Sequence, residues 1–117
     1  MIKYIVLFLL MTGTCHAWTN DQIADAIFKA ENSKKYPYGI KSVDTKGDEA
    51  YARKICLNTI RNNRVRFTKQ TKYTDYLEFL ASRYCPIGAP DDPTGLNVNW
   101  LKNVRYFLNS NLVKGGK

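Results

Sequence analysis

The chain has 117 residues, with 18 Lys and Arg against 10 Asp and Glu, a net charge of +8 and one His. That length holds one domain with a modest core. The lone His16 lies in the N-terminal stretch, so beyond it a Ser-His or Cys-His nucleophilic pair and a zinc constellation are excluded, and no phosphate-cradling Gly-rich loop is present.

Residues 1–17 read as a secretory signal peptide. Lys3 supplies the positive end, Ile5 to Met11 an apolar run, and Cys15-His16-Ala17 small residues at the positions a signal peptidase reads. The cut is expected before Trp18. The apolar run is shorter than the ~18–20 residues of a membrane span, and Met11 to Thr14 make a poor lipobox before Cys15. The expected mature domain therefore covers residues 18–117, is periplasmic or secreted, and has no stable membrane insertion. Losing Lys3 leaves 17 basic against 10 acidic residues. Export argues against a nucleic-acid partner and directs this charge toward anionic envelope polymers or surfaces.

The first helix is expected to open on Thr19-Asn20-Asp21-Gln22, a capping box with Gln three residues after Thr. Ile23, Ile27 and Phe28 share one face, and the helix should end near Ser33 or Lys34, before Tyr36-Pro37. Glu31 follows Ile27 by four residues and Phe28 by three, so it extends the apolar stripe. It also stands near the helix C-terminus, where the macrodipole opposes a carboxylate. Desolvation and that potential both raise a carboxyl pKa, as a general acid requires. The competing arrangement has Glu31 pointing outward toward Lys34 or Lys35.

Tyr36 to Val43 mixes aromatics, Pro and Gly, and is expected to form a short hairpin or an extended loop. Tyr36 and Tyr38 offer rings that stack on sugar faces, and Gly39 permits close backbone approach. Asp44 reads as a turn or helix start.

A second helix is expected from Thr45, with Asp48 as its box partner, through Tyr51, Ile55, Cys56, Thr59 and Ile60 to about Val65. Its Asn58, Arg61, Asn62, Asn63, Arg64 and Arg66 read as a solvated basic end, or else as a saccharide surface with Asn58 in the cleft. The third helix, from Thr74, carries Tyr76, Leu77, Leu80 and Tyr84 and stops before Pro86. The loop from Pro86 to Asn97 includes Asp91-Asp92 in turn and cap roles; it lacks the alternating oxygen ligands of a calcium loop. The fourth helix, from Asn97 or Asn99, presents Trp100, Leu101, Val104 and Leu108, with Tyr106 placed to reach a cleft.

Cys56 and Cys85 remain after export as an even pair, expected to form one disulfide in an oxidising compartment. Its loop of about thirty residues would contribute roughly 3–4 kcal/mol. The alternative is two buried thiols. The fold expected is mainly α, with at most a short hairpin.

Ala30-Glu31-Asn32-Ser33 followed by Tyr38-Gly39-Ile40-Lys41-Ser42-Val43 resembles the lysozyme-like superfamily, in particular lytic transglycosylases and goose-type lysozymes. There, a helix-borne Glu precedes a Tyr-Gly-Ile/Leu-x-Gln stretch that lines a saccharide cleft. The resemblance covers residues 22–43, about a fifth of the chain. It implies a small lysozyme-like helical domain that cleaves peptidoglycan glycan strands, with Glu31 as acid/base and Tyr38, Gly39 and Ser42 in the cleft. Ser42 stands where Gln is usual, and the spacing from Glu to Tyr is short. Animal-type lysozymes carry Asp immediately before Tyr-Gly-Ile, where this chain has Pro37. A retaining pair of carboxylates, ~5–5.5 Å apart, therefore lacks its second member, and a single-acid transglycosylase is expected. A monomer without cofactor or metal is expected. The alternative is a non-catalytic cell-wall-binding or inhibitor protein on the same scaffold.

Overall fold

A computed structural model describes residues 18–90, 92 and 95–115. The signal-peptide segment and Asp91 lie outside these residues. Four helices follow in order: α1 Asn20–Glu31, α2 Glu49–Thr68, α3 Tyr76–Tyr84 and α4 Val98–Gly115. A single 3₁₀ turn, Pro37–Gly39, lies between α1 and α2. Among the described residues there is no strand, so residues 36–43 do not take the hairpin, one of the two forms expected for them, and the mainly α architecture stands.

Local chemistry sets the helix starts. Thr19 caps α1 with both bonds of the capping box: its hydroxyl accepts from the Gln22 N–H at 3.1 Å, and the Thr19 N–H donates to Gln22 Oε1 at 2.8 Å. Asp48 caps α2, accepting from the Tyr51 N–H at 3.1 Å, and Asp75 caps α3 through the Glu78 N–H at 3.0 Å. Those two helices thus begin after the expected Thr45 and Thr74, because an Asp, three residues on in the first case and one in the second, accepts the orphan N–H groups better than Thr does. The stretch before α2 is a turn instead: Asp44 Oδ1 accepts from the Lys46 N–H at 2.9 Å.

Helix α1 stops at Glu31, earlier than its sequence suggests. Asn32 takes the left-handed conformation (φ 45°, ψ 47°), and its N–H donates to the Phe28 carbonyl at 3.1 Å. Asn is one of the few side chains that tolerates this C-terminal geometry.

α1 is the central element, packed against α4, α2 and the 3₁₀ turn, while α3 bridges α2 and α4. Its buried Ile23, Ala24, Ala26 and Ile27 meet Ala52, Cys56 and Ile60 of α2, Leu77 and Leu80 of α3, and Trp100, Val104 and Leu108 of α4. The basic stretch on α2 divides: Asn58, Arg61, Asn62 and Arg66 are exposed, as a solvated helix end would be, while Asn63 and Arg64 are architectural. Arg64 stacks on Tyr76 at 4.6 Å and donates to the Trp18 carbonyl and Asn20 Oδ1, which ties down the entry to α1. Asn63 is buried and donates to the Thr59 carbonyl at 3.0 Å.

The expected disulfide is not formed. Cys56 lies fully buried within α2, where its Sγ is 3.7 Å from the Tyr84 hydroxyl oxygen, while Cys85 closes α3 at a half-buried position. The corner that was to hold a covalent staple is held by packing and hydrogen bonds. Tyr84 Oη donates its proton to the Tyr38 carbonyl at 2.5 Å, and its ring stacks on Trp100 at 5.2 Å.

Candidate active site around Glu31

Glu31, the last residue of α1, is half-buried and faces inward. Two neighbours hold its carboxyl. The Trp100 indole Nε1–H donates to Glu31 Oε2 at 3.0 Å. Gly39 lies against the carboxyl so closely that an added Cβ would sit 2.5 Å from Glu31 Cδ. Gly39 also adopts φ +71°, a region that disfavours any residue with a side chain. Two independent demands, space and backbone conformation, thus select glycine at this position.

Burial pushes the Glu31 carboxyl above its ordinary value; the Trp100 bond and the positive charge of Lys41 offset part of that rise. Loss of hydration destabilises the charged form more than those two interactions restore it. The inward-facing arrangement is therefore the one found, and the ion pair with Lys34 or Lys35 is not formed among the described residues.

Glu31 opens onto a groove of about 360 Å³, lined also by Gly39, Lys41, Ser42, Thr59, Arg83 and Asn97. Lys41 and Arg83 are exposed cations on its rim. Among the described lining residues Glu31 is the only carboxylate. The far wall depends on the loop after α3, where buried Asp92 accepts from the Gly88 N–H at 2.9 Å and from the Asn97 N–H at 3.2 Å. Asp92 has the turn role its context suggests, and it carries Asn97 to the groove.

The fold brings Glu31, Gly39 and Ser42 together. Tyr38 does not join them: it is buried, 5% exposed, with its ring 5.1 Å from that of Phe28. Its hydroxyl accepts from Arg53 Nη1 at 3.1 Å. The backbone at Tyr38 is left-handed (φ 61°, ψ 14°), which turns the ring into the core and sets the next residue, Gly39, against Glu31. Tyr36 lies outside the groove, with Lys35 and Lys41 ammonium groups 5.3 and 5.6 Å from its ring centroid. Asn58 is exposed on α2 beside the lining residue Thr59, without lining the groove itself. Tyr106 is 65% exposed on α4 and packs edge-on against Phe107 at 5.2 Å, away from the groove.

Trp100, Lys41, Arg83, Thr59, Tyr84 and Asn97 were not among the expected site residues. Trp100 carried a usable signal, because a buried indole N–H requires an acceptor and an apolar stripe offers none. Lys41 lay within the stretch that resembles a cleft lining; Thr59, Arg83, Tyr84 and Asn97 had no local signal, since their place at the groove depends on how α2, α3 and the loop after it pack around the turn.

No group of three or more His, Cys, Asp or Glu side chains able to hold a metal occurs among the described residues. No helix among them is long and apolar enough to cross a membrane. Comparisons with family models, with curated proteins and with solved structures give no match to this chain.

Proposed function

We propose that this protein is an exported enzyme of lysozyme-like fold that cleaves the bond between N-acetylmuramic acid and N-acetylglucosamine in peptidoglycan, with Glu31 as its single acid/base. The observation that carries this reading is the state of Glu31: a half-buried carboxyl with a raised pKa, anchored by Trp100 and open to a groove. A carboxyl in that state is protonated closer to neutral pH than a solvated one and has a proton to give.

In the proposed reaction the Glu31 proton passes to the glycosidic oxygen as the bond from that oxygen to the sugar C1 breaks. The Glu31 carboxylate then takes the proton of the same sugar's C6 hydroxyl, whose oxygen bonds to C1. The product is a 1,6-anhydro ring, and Glu31 ends protonated as it began. No second protein carboxylate is required, which agrees with the lining of the groove. Trp100 keeps one carboxyl oxygen fixed and so leaves Oε1 as the oxygen that exchanges the proton.

The test is mass spectrometry of soluble products after incubation of residues 18–117 with purified peptidoglycan, beside the Glu31→Gln variant. Anhydro-muropeptides from the native protein, and none from the variant, are expected. Equal product from both would refute the assignment. A second reading, a non-catalytic wall-binding protein, is favoured by the exposed cations Lys41 and Arg83 on the groove rim. It predicts retention on peptidoglycan with no soluble product from either form.

A further inference from the structure

A second hollow, of about 560 Å³, lies next to the groove and is lined by Lys35, Tyr36, Lys41, Asp44, Lys46 and Gly47 among others. Lys41 lines both spaces, so the two meet at one side chain. Three lysines and one aspartate line the hollow. That aspartate, Asp44, already accepts from the Lys46 backbone N–H at 2.9 Å. None of the three lysines has a carboxylate within ion-pair distance among the described residues, where the ion pairs are made by Arg53 and Arg105.

Tyr36 explains how the charges come to be gathered. The ammonium groups of Lys35 and Lys41 stand 5.3 and 5.6 Å from its ring centroid, within the range of attraction to the π face. The ring thus offsets part of the repulsion between two like charges, neither of which makes an ion pair among the described residues. It is engaged by cations, so it does not offer an open stacking platform for a sugar. Lys46 joins the set because the chain turns sharply at Lys46 and Gly47, with φ of 54° and 76°. An anionic group entering the hollow would relieve the remaining repulsion while approaching three donors.

We propose that Lys35 and Lys41 at the Tyr36 ring, together with Lys46 on the lining of the same hollow, form a subsite for a carboxylate carried by the ligand whose glycan occupies the Glu31 groove. This inference rests on the reading of the groove as a peptidoglycan site, and it identifies the strand portion preferred there: one whose peptide stem bears free carboxylates. Lys41 is the link, since it reaches the subsite and also acts electrostatically on Glu31. A carboxylate bound at Lys41 would diminish the positive field at Glu31 and favour its protonated, proton-donating form.

The experiment is calorimetric titration of residues 18–117 with a disaccharide-peptide fragment of peptidoglycan, and with the same fragment after amidation of its carboxylates. The free-carboxylate form is expected to bind about fivefold more tightly at low ionic strength, the scale of a few exposed charge pairs, and to lose that advantage in high salt. In the double variant Lys35→Gln/Lys46→Gln the ratio should fall close to one. Both positions are exposed, so the fold is not at stake. The control Lys69→Gln/Lys102→Gln removes the same charge from exposed sites elsewhere and should keep the ratio. Equal binding of the two forms by the native protein, no binding of either, a ratio that survives in Lys35→Gln/Lys46→Gln, or one lost equally in the control overturns the subsite. Cleavage is scored separately. Discrimination without cleavage removes the catalytic reading and keeps the subsite, whereas cleavage with equal binding does the reverse.

Discussion

The indole Nε1–H of Trp100 meets Glu31 Oε2 at 3.0 Å, joining two residues that stand 69 positions apart. The bond fastens the C-terminal end of α1 to α4 and gives the half-buried carboxyl a partner that carries no charge. A neutral donor steadies the carboxyl without fully stabilising its ionised form, so the desolvation that raises its pKa persists. An Arg or Lys in place of Trp100 would hold the carboxyl as firmly and keep it ionised. The geometry is suited to a group that must be fixed in place and still carry a proton.

The linkage between Glu31 and stability has a definite sign. Its folded pKa stands above the ordinary value of 4.5, so the native state binds more protons than the unfolded chain between those two pH values. Stability contributed by this group is therefore full below the ordinary value and declines as pH rises through the folded one. Glu31→Gln keeps the shape and an acceptor for Trp100 but does not titrate. Relative to the native protein, the variant should gain stability as pH rises from the ordinary value of 4.5 through the folded pKa, and no further above it. Paired thermal denaturation curves across that range check it; a difference that does not change with pH would contradict the raised pKa.

Trp100→Phe removes the donor and keeps an aromatic ring against Tyr84. The hydrogen bond lowers the Glu31 pKa, so its loss should raise that pKa further, and a carbon-detected NMR titration of the carboxyl would read the shift. The alkaline limb of any activity profile should move upward with it. Removing a hydrogen bond of this kind should cost about 1.5–3 kcal/mol at pH values where Glu31 is ionised. An unmoved titration would mean that the bond contributes nothing to the state of the carboxyl.

Gly39→Ala tests the packing behind the acid. The new methyl would overlap the Glu31 carboxyl, and the residue would have to keep φ +71°. The backbone alone costs about 1–2 kcal/mol. Because the flexible end of Glu31 gives way more readily than the turn, activity should fall severely while the helices survive in circular dichroism. Full activity in a folded variant would show that the position of the carboxyl is unimportant.

The Cys56 thiol is buried and pushed up to about 11, chiefly by desolvation. At pH 8 only about one molecule in a thousand carries the reactive thiolate at that site. Alkylation followed by peptide mass spectrometry should leave Cys56 unmodified in the native protein and label it once the fold is opened with denaturant. Rapid native labelling at Cys56 would refute its burial against Tyr84.

Much of the secondary structure was legible because its causes are local. The box of Thr19 and Gln22, the halt of α3 before Pro86 and the stripe of Trp100, Val104 and Leu108 depend on contacts within a few residues or on a helical period. Boundaries slipped where two caps competed, as at Thr45 and Asp48, and where a single residue such as Asn32 adopted a rare conformation. Hairpin and loop stayed open for residues 36–43 until Tyr38, whose backbone is left-handed within a 3₁₀ turn, excluded the hairpin.

By itself the sequence determined a mainly α chain, the amphipathic faces of its helices, and a stripe that ends on Glu31. Periodicity carries that much because side-chain direction along a helix follows from position. Tertiary packing decided whether Glu31 faced solvent or the interior, since that depends on Trp100 arriving from α4 and on Gly39 leaving room. It also decided that Tyr38 belongs to the core, that Lys41 and Arg83 share a groove, and that Cys56 meets a tyrosine hydroxyl instead of Cys85. Each of these outcomes is a distance between parts of the chain remote in sequence, and no local pattern encodes a distance of that kind.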